Sequence, residues 1–166
     1  MALTIDGAGP LAGATTLNGL TIPSTGFGKV LQVVRTTDST NRSTTSATAV
    51  DANISVTITP QKIDSALILI WAAACFAENL SGTTAYVQYQ ITDSSNNILG
   101  GERRLYLKGA SASNLGIELQ QVFFAYVTPA SISALTYKGR FRATTGTAYI
   151  QNTPTPGQLY AIEVSA

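Results

Sequence analysis

Leu135-Thr136-Tyr137-Lys138-Gly139-Arg140-Phe141-Arg142 alternates with a period of two. Leu135, Tyr137, Gly139 and Phe141 fall on one side, and Thr136, Lys138, Arg140 and Arg142 on the other. Successive strand side chains point to opposite faces, so the stretch reads as a β-strand with one buried and one wet face. The basic side is the polar face of a regular strand, ordinarily a solvated one.

The same period runs outward in both directions. Ile54, Val56 and Ile58 alternate with Ser55, Thr57 and Thr59 until Pro60 ends the strand. Ala85, Val87, Tyr89 and Ile91 oppose Tyr86, Gln88 and Gln90. Asp93 to Asn97 is a turn cluster, and Gly100-Gly101 inside Ile98 to Lys108 predicts a bulge. Lys29 to Thr37, Leu115 to Gln120, Ala148 to Gln151 and Leu159 to Val164 complete the set, while the Ser/Thr-rich stretch Asp38 to Ser46 reads as a loop. The expectation is an all-β, antiparallel, jelly-roll-like sandwich of eight or nine strands over residues 29–166.

Three segments break the one-wet-face pattern: Ala66–Ala77, Val122–Val127 and Tyr160–Val164 are apolar in both phases. A buried helix competes for the first, but Ile68, Ile70 and Trp71 favour a strand. A strand covered on both faces needs a second layer, and self-association is the simplest source of it. The sequence therefore predicts a homotrimer, with Phe124, Tyr126, Tyr160 and Ile162 as candidate interface residues.

Residues 1–28 differ in composition: six of the 14 glycines, two prolines and one charged residue, Asp6. Apolar residues nevertheless recur there, and Leu17-Asn18-Gly19-Leu20 reads as a tight turn between two short extended pieces. The segment reads as an extended arm that orders on another surface through Leu3, Ile5, Leu17, Leu20, Ile22 and Phe27; a frayed terminus is the alternative.

Composition narrows the chemistry. The 166 residues carry 10 basic and 9 acidic side chains, a net charge of +1, no histidine and one cysteine. Without histidine there is no Ser-His-Asp or Cys-His catalysis and no imidazole metal ligand. One cysteine allows no internal disulfide and no zinc knuckle. Near-zero charge argues against a nucleic-acid partner. Ala66–Ala77, the longest apolar run, is too short for a spanning helix, which needs about 20 residues, and no membrane role is expected. The nine acids are dispersed, writing no calcium loop and favouring no one carboxylate pair. Cys75, among alanines and without a nearby cation, reads as core. No catalytic residue, metal or cofactor is expected.

Two stretches carry a resemblance. One runs from Gly28-Lys29-Val30-Leu31-Gln32-Val33-Val34 to Ser55-Val56-Thr57-Ile58-Thr59-Pro60 and Ala66-Leu67-Ile68-Leu69-Ile70. The other runs from Ser133-Ala134-Leu135-Thr136-Tyr137-Lys138 through Phe141, Gly146 and Ala148-Tyr149-Ile150 to Leu159-Tyr160-Ala161-Ile162-Glu163-Val164. Over residues 28–166 the chain resembles the β-sandwich domain of virion structural proteins of tailed phages, especially those of cyanobacteria and other aquatic bacteria. Proteins of this kind serve as tail-fibre tips and as trimeric knobs or cement proteins on capsids. The resemblance implies synthesis in a host cytoplasm and a place in the virion. With only 28 residues ahead of the domain, a capsid decoration protein is favoured, its arm and trimer base gripping the major capsid protein. The alternative is a receptor-binding module that recognises a host glycan through Tyr86, Gln88 and Gln90, or through Asn96 and Asn97.

Overall fold

A computed structural model describes residues 16–17, 20–21, 29–79, 83–108 and 115–165. Its strands are β1 (Thr16–Leu17), β2 (Leu20–Thr21), β3 (Val30–Asp38), β4 (Arg42–Thr44), β5 (Val50–Ile58), β6 (Ala66–Asn79), β7 (Thr84–Asp93), β8 (Ile98–Lys108), β9 (Leu115–Val127), β10 (Leu135–Thr145), β11 (Thr147–Ile150) and β12 (Gly157–Val164).

β3 to β12 form two antiparallel sheets. One runs β5-β10-β7-β8. In the other, β9 lines one side of the long β6, while β12 and then β11 share its opposite side, followed outward by β3 and β4. Apart from β3/β4, β7/β8 and β11/β12, consecutive strands cross from one sheet to the other, and the orders 3-12-6-9 and 5-10-7-8 are the interleaving of a jelly roll. Ala66–Asn79 is a strand throughout, which settles the helix alternative.

The sandwich has ten strands rather than eight or nine. The additional one, β4, lies in the stretch that reads as a Ser/Thr loop, and it pairs with β11 in the register Ala148↔Thr44. Asp38 explains the order of that stretch. Its carboxylate is ion-paired with Arg42 and accepts Asn152 Nδ2 at 2.8 Å. Burial alone would raise the Asp38 pKa, but Arg42, the Thr40 amide and Asn152 together hold it below the usual value.

The core fills the space between the sheets. Trp71 packs on Phe123 with ring centroids 4.9 Å apart, and Tyr89 stacks between Phe123 and Phe141. Gly139, mid-strand in β10, faces Trp71: a Cβ there would lie 2.9 Å from the indole and from Ile54 Cγ2, so glycine makes the space the ring occupies. Cys75 is fully buried in this core, as its surroundings in the sequence imply, and burial pushes its thiol pKa up. The Gly100-Gly101 bulge is present: both have positive φ, and the β7–β8 register shifts between Tyr89 and Ile91. A Cβ on Gly100 would collide with the Phe124 carbonyl, so the bulge also lets β8 close against β9.

Among the described residues one acid lies fully inside. Glu163 shares the inward face of β12 with Leu159 and Ala161 and is fully buried. Oε1 accepts Ser65 Oγ at 2.6 Å and the amides of Gln61 and Lys62 at 2.8 and 3.2 Å, while Oε2 accepts Gln32 Nε2 at 2.6 Å. Burial by itself raises this carboxyl, but the four donors outweigh it and its pKa lies below the ordinary value. The fold therefore binds the ionised form better. That contribution is complete above the ordinary value of 4.5 and disappears as pH falls through the lower folded value. Glu163→Gln should cost about 2 kcal/mol at neutral pH. Melting curves from about pH 7 to about pH 3 should show the variant losing less stability on acidification than the parent. Parallel losses would remove Glu163 from the acid response.

Candidate functional site

The three doubly apolar segments lie side by side as β12, β6 and β9 of one sheet. Their odd-numbered residues, such as Leu67, Leu69, Trp71, Phe123, Ala125, Leu159 and Ala161, build the core. The even-numbered residues form the outer face. Register aligns them in rows across four strands: Val33–Ile162–Ile68–Tyr126, then Arg35–Tyr160–Ile70–Phe124, then Thr37–Gln158–Ala72–Val122.

All four sequence-derived interface candidates sit in this patch: Phe124 and Tyr126 on the β9 side, Tyr160 and Ile162 on β12. Phe124 is 56% and Tyr126 66% exposed, and Val33 and Val122 are about half exposed beside them. Tyr160 and Ile162 are half-buried by their neighbours. The Tyr160 hydroxyl bonds Gln158, and the Arg35 guanidinium lies 6.0 Å from its ring. Among the described residues nothing covers the β6 outer face. Ile68 and Ile70 are only half-buried, so the second layer expected from the sequence is not supplied by the described residues. Farther along the same face the chemistry turns polar: Phe76 packs on Tyr149 at 5.0 Å, the Tyr149 hydroxyl donates to Glu78 at 2.7 Å, and Glu118 and Gln120 continue β9. That polar end bounds the apolar patch. Monomeric proteins rarely leave so contiguous an apolar surface wet, since each large side chain on it gives up about 1.5–3 kcal/mol of burial.

Sequence reading missed Val33, Ile68, Ile70 and Val122 as members of this face. The signal was there in the apolar even phase of Ala66–Ala77; which phase faced outward needed the second sheet. The arm candidates Leu3, Ile5, Ile22 and Phe27 lie outside the described residues. Leu17 and Leu20 pair across β1 and β2, in the register Thr16↔Thr21 and Leu17↔Leu20, as the two extended pieces read from the sequence.

The outer face of the opposite sheet is polar, and it differs from the solvated face expected of Lys138, Arg140 and Arg142. Arg140 Nε donates to Asp51 at 2.8 Å, Lys138 lies 3.4 Å from the same acid, and Arg142 Nη2 donates to Glu102 at 2.9 and 3.2 Å. Arg140 Nη2 and Arg142 Nη1 reach over to donate to the Ala49 and Ala47 carbonyls and hold the 45–49 segment on the sheet. Of the glycan candidates, Gln88 and Gln90 are not the exposed amides expected. Gln88 is 2% and Gln90 4% exposed, so neither is a free surface amide. Gln88 donates to Glu102 at 2.6 Å and accepts Thr144 Oγ1 at 3.3 Å. Asn97 holds the β7–β8 turn through Asp93 at 2.8 Å, and Asn96 accepts Lys138 Nζ at 2.8 Å. Tyr86 lies between Tyr106 (6.0 Å, edge-on) and Arg104 (5.5 Å).

No family model and no curated protein sequence matches the chain. Among solved structures the fold is similar to a chain of the infectious bursal disease virus (Gx strain) structure, at 13% identity and a TM-score of 0.32, over 81% of this chain and 37% of that one. The chain thus spans well under half the length of that neighbour, and a likeness this distant carries no functional information.

Proposed function

We propose that this is a virion structural protein: a homotrimer that decorates a phage capsid, with the outer face of the β3-β12-β6-β9 sheet as the surface where copies meet. The observation that carries the reading is the adjacency of the three doubly apolar segments, whose outward residues make one continuous patch with no second layer over it among the described residues. The sequence resemblance over residues 28–166 supplies the setting, and jelly rolls are recurrent building blocks of viral shells. The mechanism is burial of surface between copies and against the major capsid protein, with no turnover, cofactor, nucleic acid or membrane.

Light scattering of the full-length protein should give three times the 17.3 kDa chain mass. A monodisperse monomer would overturn the trimer. Gold labelling of virions should mark the shell; labelling confined to the tail would overturn the decoration role.

A further inference from the structure

β8 is the last strand of the β5-β10-β7-β8 sheet. It pairs with β7 along one side, and among the described residues no strand pairs along the other, so a row of backbone donors and acceptors stands open there. The side chains beside that row are basic and aromatic. Arg103, Arg104, Tyr106 and Lys108 are exposed, and none of the three cations has an ion pair among the described residues. The other cations of this sheet are matched, Lys138 and Arg140 by Asp51 and Arg142 by Glu102. Glu102, the one acid of β8, is taken by Arg142 and Gln88, and positions 80–82 and 109–114 carry no charged residue. Register places Arg104, Tyr106 and Lys108 opposite Gln88, Tyr86 and Thr84. Tyr106 meets Tyr86 edge-on at 6.0 Å, and the Arg104 guanidinium lies 5.5 Å from the Tyr86 ring, so both are seated on β7.

We propose that the open edge of β8 takes up an acidic, extended segment of another protein as an added strand. An open edge offers a ladder of backbone hydrogen bonds, which a peptide strand completes and a sugar or nucleic-acid chain does not. Uncompensated cations beside it call for carboxylates. Alternate side chains of a strand stand about 6.6 Å apart on one face. Carboxylates four positions apart on the added strand therefore meet Arg104 and Lys108, while the residue midway lies on Tyr106. The pattern is acid-x-apolar-x-acid. No two acids of this chain stand four positions apart, so no segment of it supplies that pattern. A second β8 edge would bring like charges together. The charges that keep copies off this edge thus select a foreign strand. The apolar face lies on the other sheet, and this docking needs neither the trimer nor the capsid role proposed above.

Fluorescence polarisation on the full-length protein tests this with a labelled, capped peptide of the pattern glutamate-threonine-valine-threonine-glutamate, and with a counterpart carrying lysine in place of both glutamates. The acidic peptide should bind with a dissociation constant of about 0.1 mM at low salt, and the lysine peptide at least about tenfold more weakly. Raising salt from about 50 mM to about 500 mM should weaken the acidic peptide. Arg104→Glu combined with Lys108→Glu should invert the preference; both side chains are exposed, so circular dichroism and the mass by light scattering should stay those of the parent. Methylating the backbone nitrogens along one edge of the acidic peptide should abolish binding, and methylating the other edge should not, because only one edge donates to β8. Equal binding of the acidic and lysine peptides, equal binding of the two methylated forms, or an unchanged preference in the doubly substituted protein would overturn the proposal. So would displacement of the peptide by a heparin or oligothymidylate fragment of equal charge at lower concentration, which would make the edge a general anion strip. A trimer that binds no acidic peptide would remove this docking site and leave the assembly standing.

Discussion

Phe124→Asp should run as a monomer where the parent, on the assembly proposed above, should run as a trimer. Phe124 is more than half exposed in the middle row of the apolar face, opposite Ile70 and two strands from Tyr160. Its chain neighbours Phe123 and Ala125 point into the core, so the substitution changes the face without opening the sandwich. A carboxylate in that row meets no cation except Arg35 at the far edge, and burying it between copies would leave it unpaired. Central aromatic anchors of interfaces typically cost about 2 kcal/mol or more on truncation, and a buried charge adds to that. Because every copy carries the change, dissociation should strengthen by at least about thirtyfold. Light scattering reads the mass. The parent's melting temperature should rise with concentration, and the variant's should not. Ser55→Asp, exposed on β5 of the other sheet, should leave the trimer intact. A trimeric Phe124→Asp would mean that copies meet elsewhere.

Trp71→Ala is the second large effect, on the fold itself. The indole is 1% exposed, lies 4.9 Å from Phe123 and presses on Gly139 and Ile54 across the sheets. Removing it opens a cavity that glycine on the facing strand cannot fill. Large-to-small aromatic substitutions in cores cost about 3–5 kcal/mol, a large share of the about 5–15 kcal/mol that holds a domain together. Urea unfolding followed by circular dichroism should shift to much lower denaturant. A loss under about 1 kcal/mol would show that the sheets close without the ring.

Much of this architecture was legible. Alternation in β5, β7 and β10 placed their inward residues correctly, because a half-buried strand must repeat every second residue. The turn at Asp93–Asn97 and the bulge at Gly100-Gly101 were legible because their residues favour positive φ or local side-chain bonds. β4 was not: Arg42–Thr44 has no apolar alternation, and it is a strand only because β11 and the Asp38–Arg42 pair hold it. The ion pairs of the polar face were equally hidden. Arg140 finds Asp51 across 89 positions and Arg142 finds Glu102 across 40, separations over which sequence carries no pairing signal.

The sequence by itself determined the strands, the all-β class and the presence of two apolar phases in three segments, since period-two patterning acts locally. Only the tertiary structure decided which phase is core. Closure of the second sheet buries Leu159, Ala161 and Glu163 and leaves Tyr160 and Ile162 outside, and the acid is tolerated there because Ser65, Gln32, Gln61 and Lys62 converge on it. Adjacency of β12, β6 and β9 then turns three scattered apolar phases into one surface, because side chains far apart in the chain become neighbours only through strand pairing.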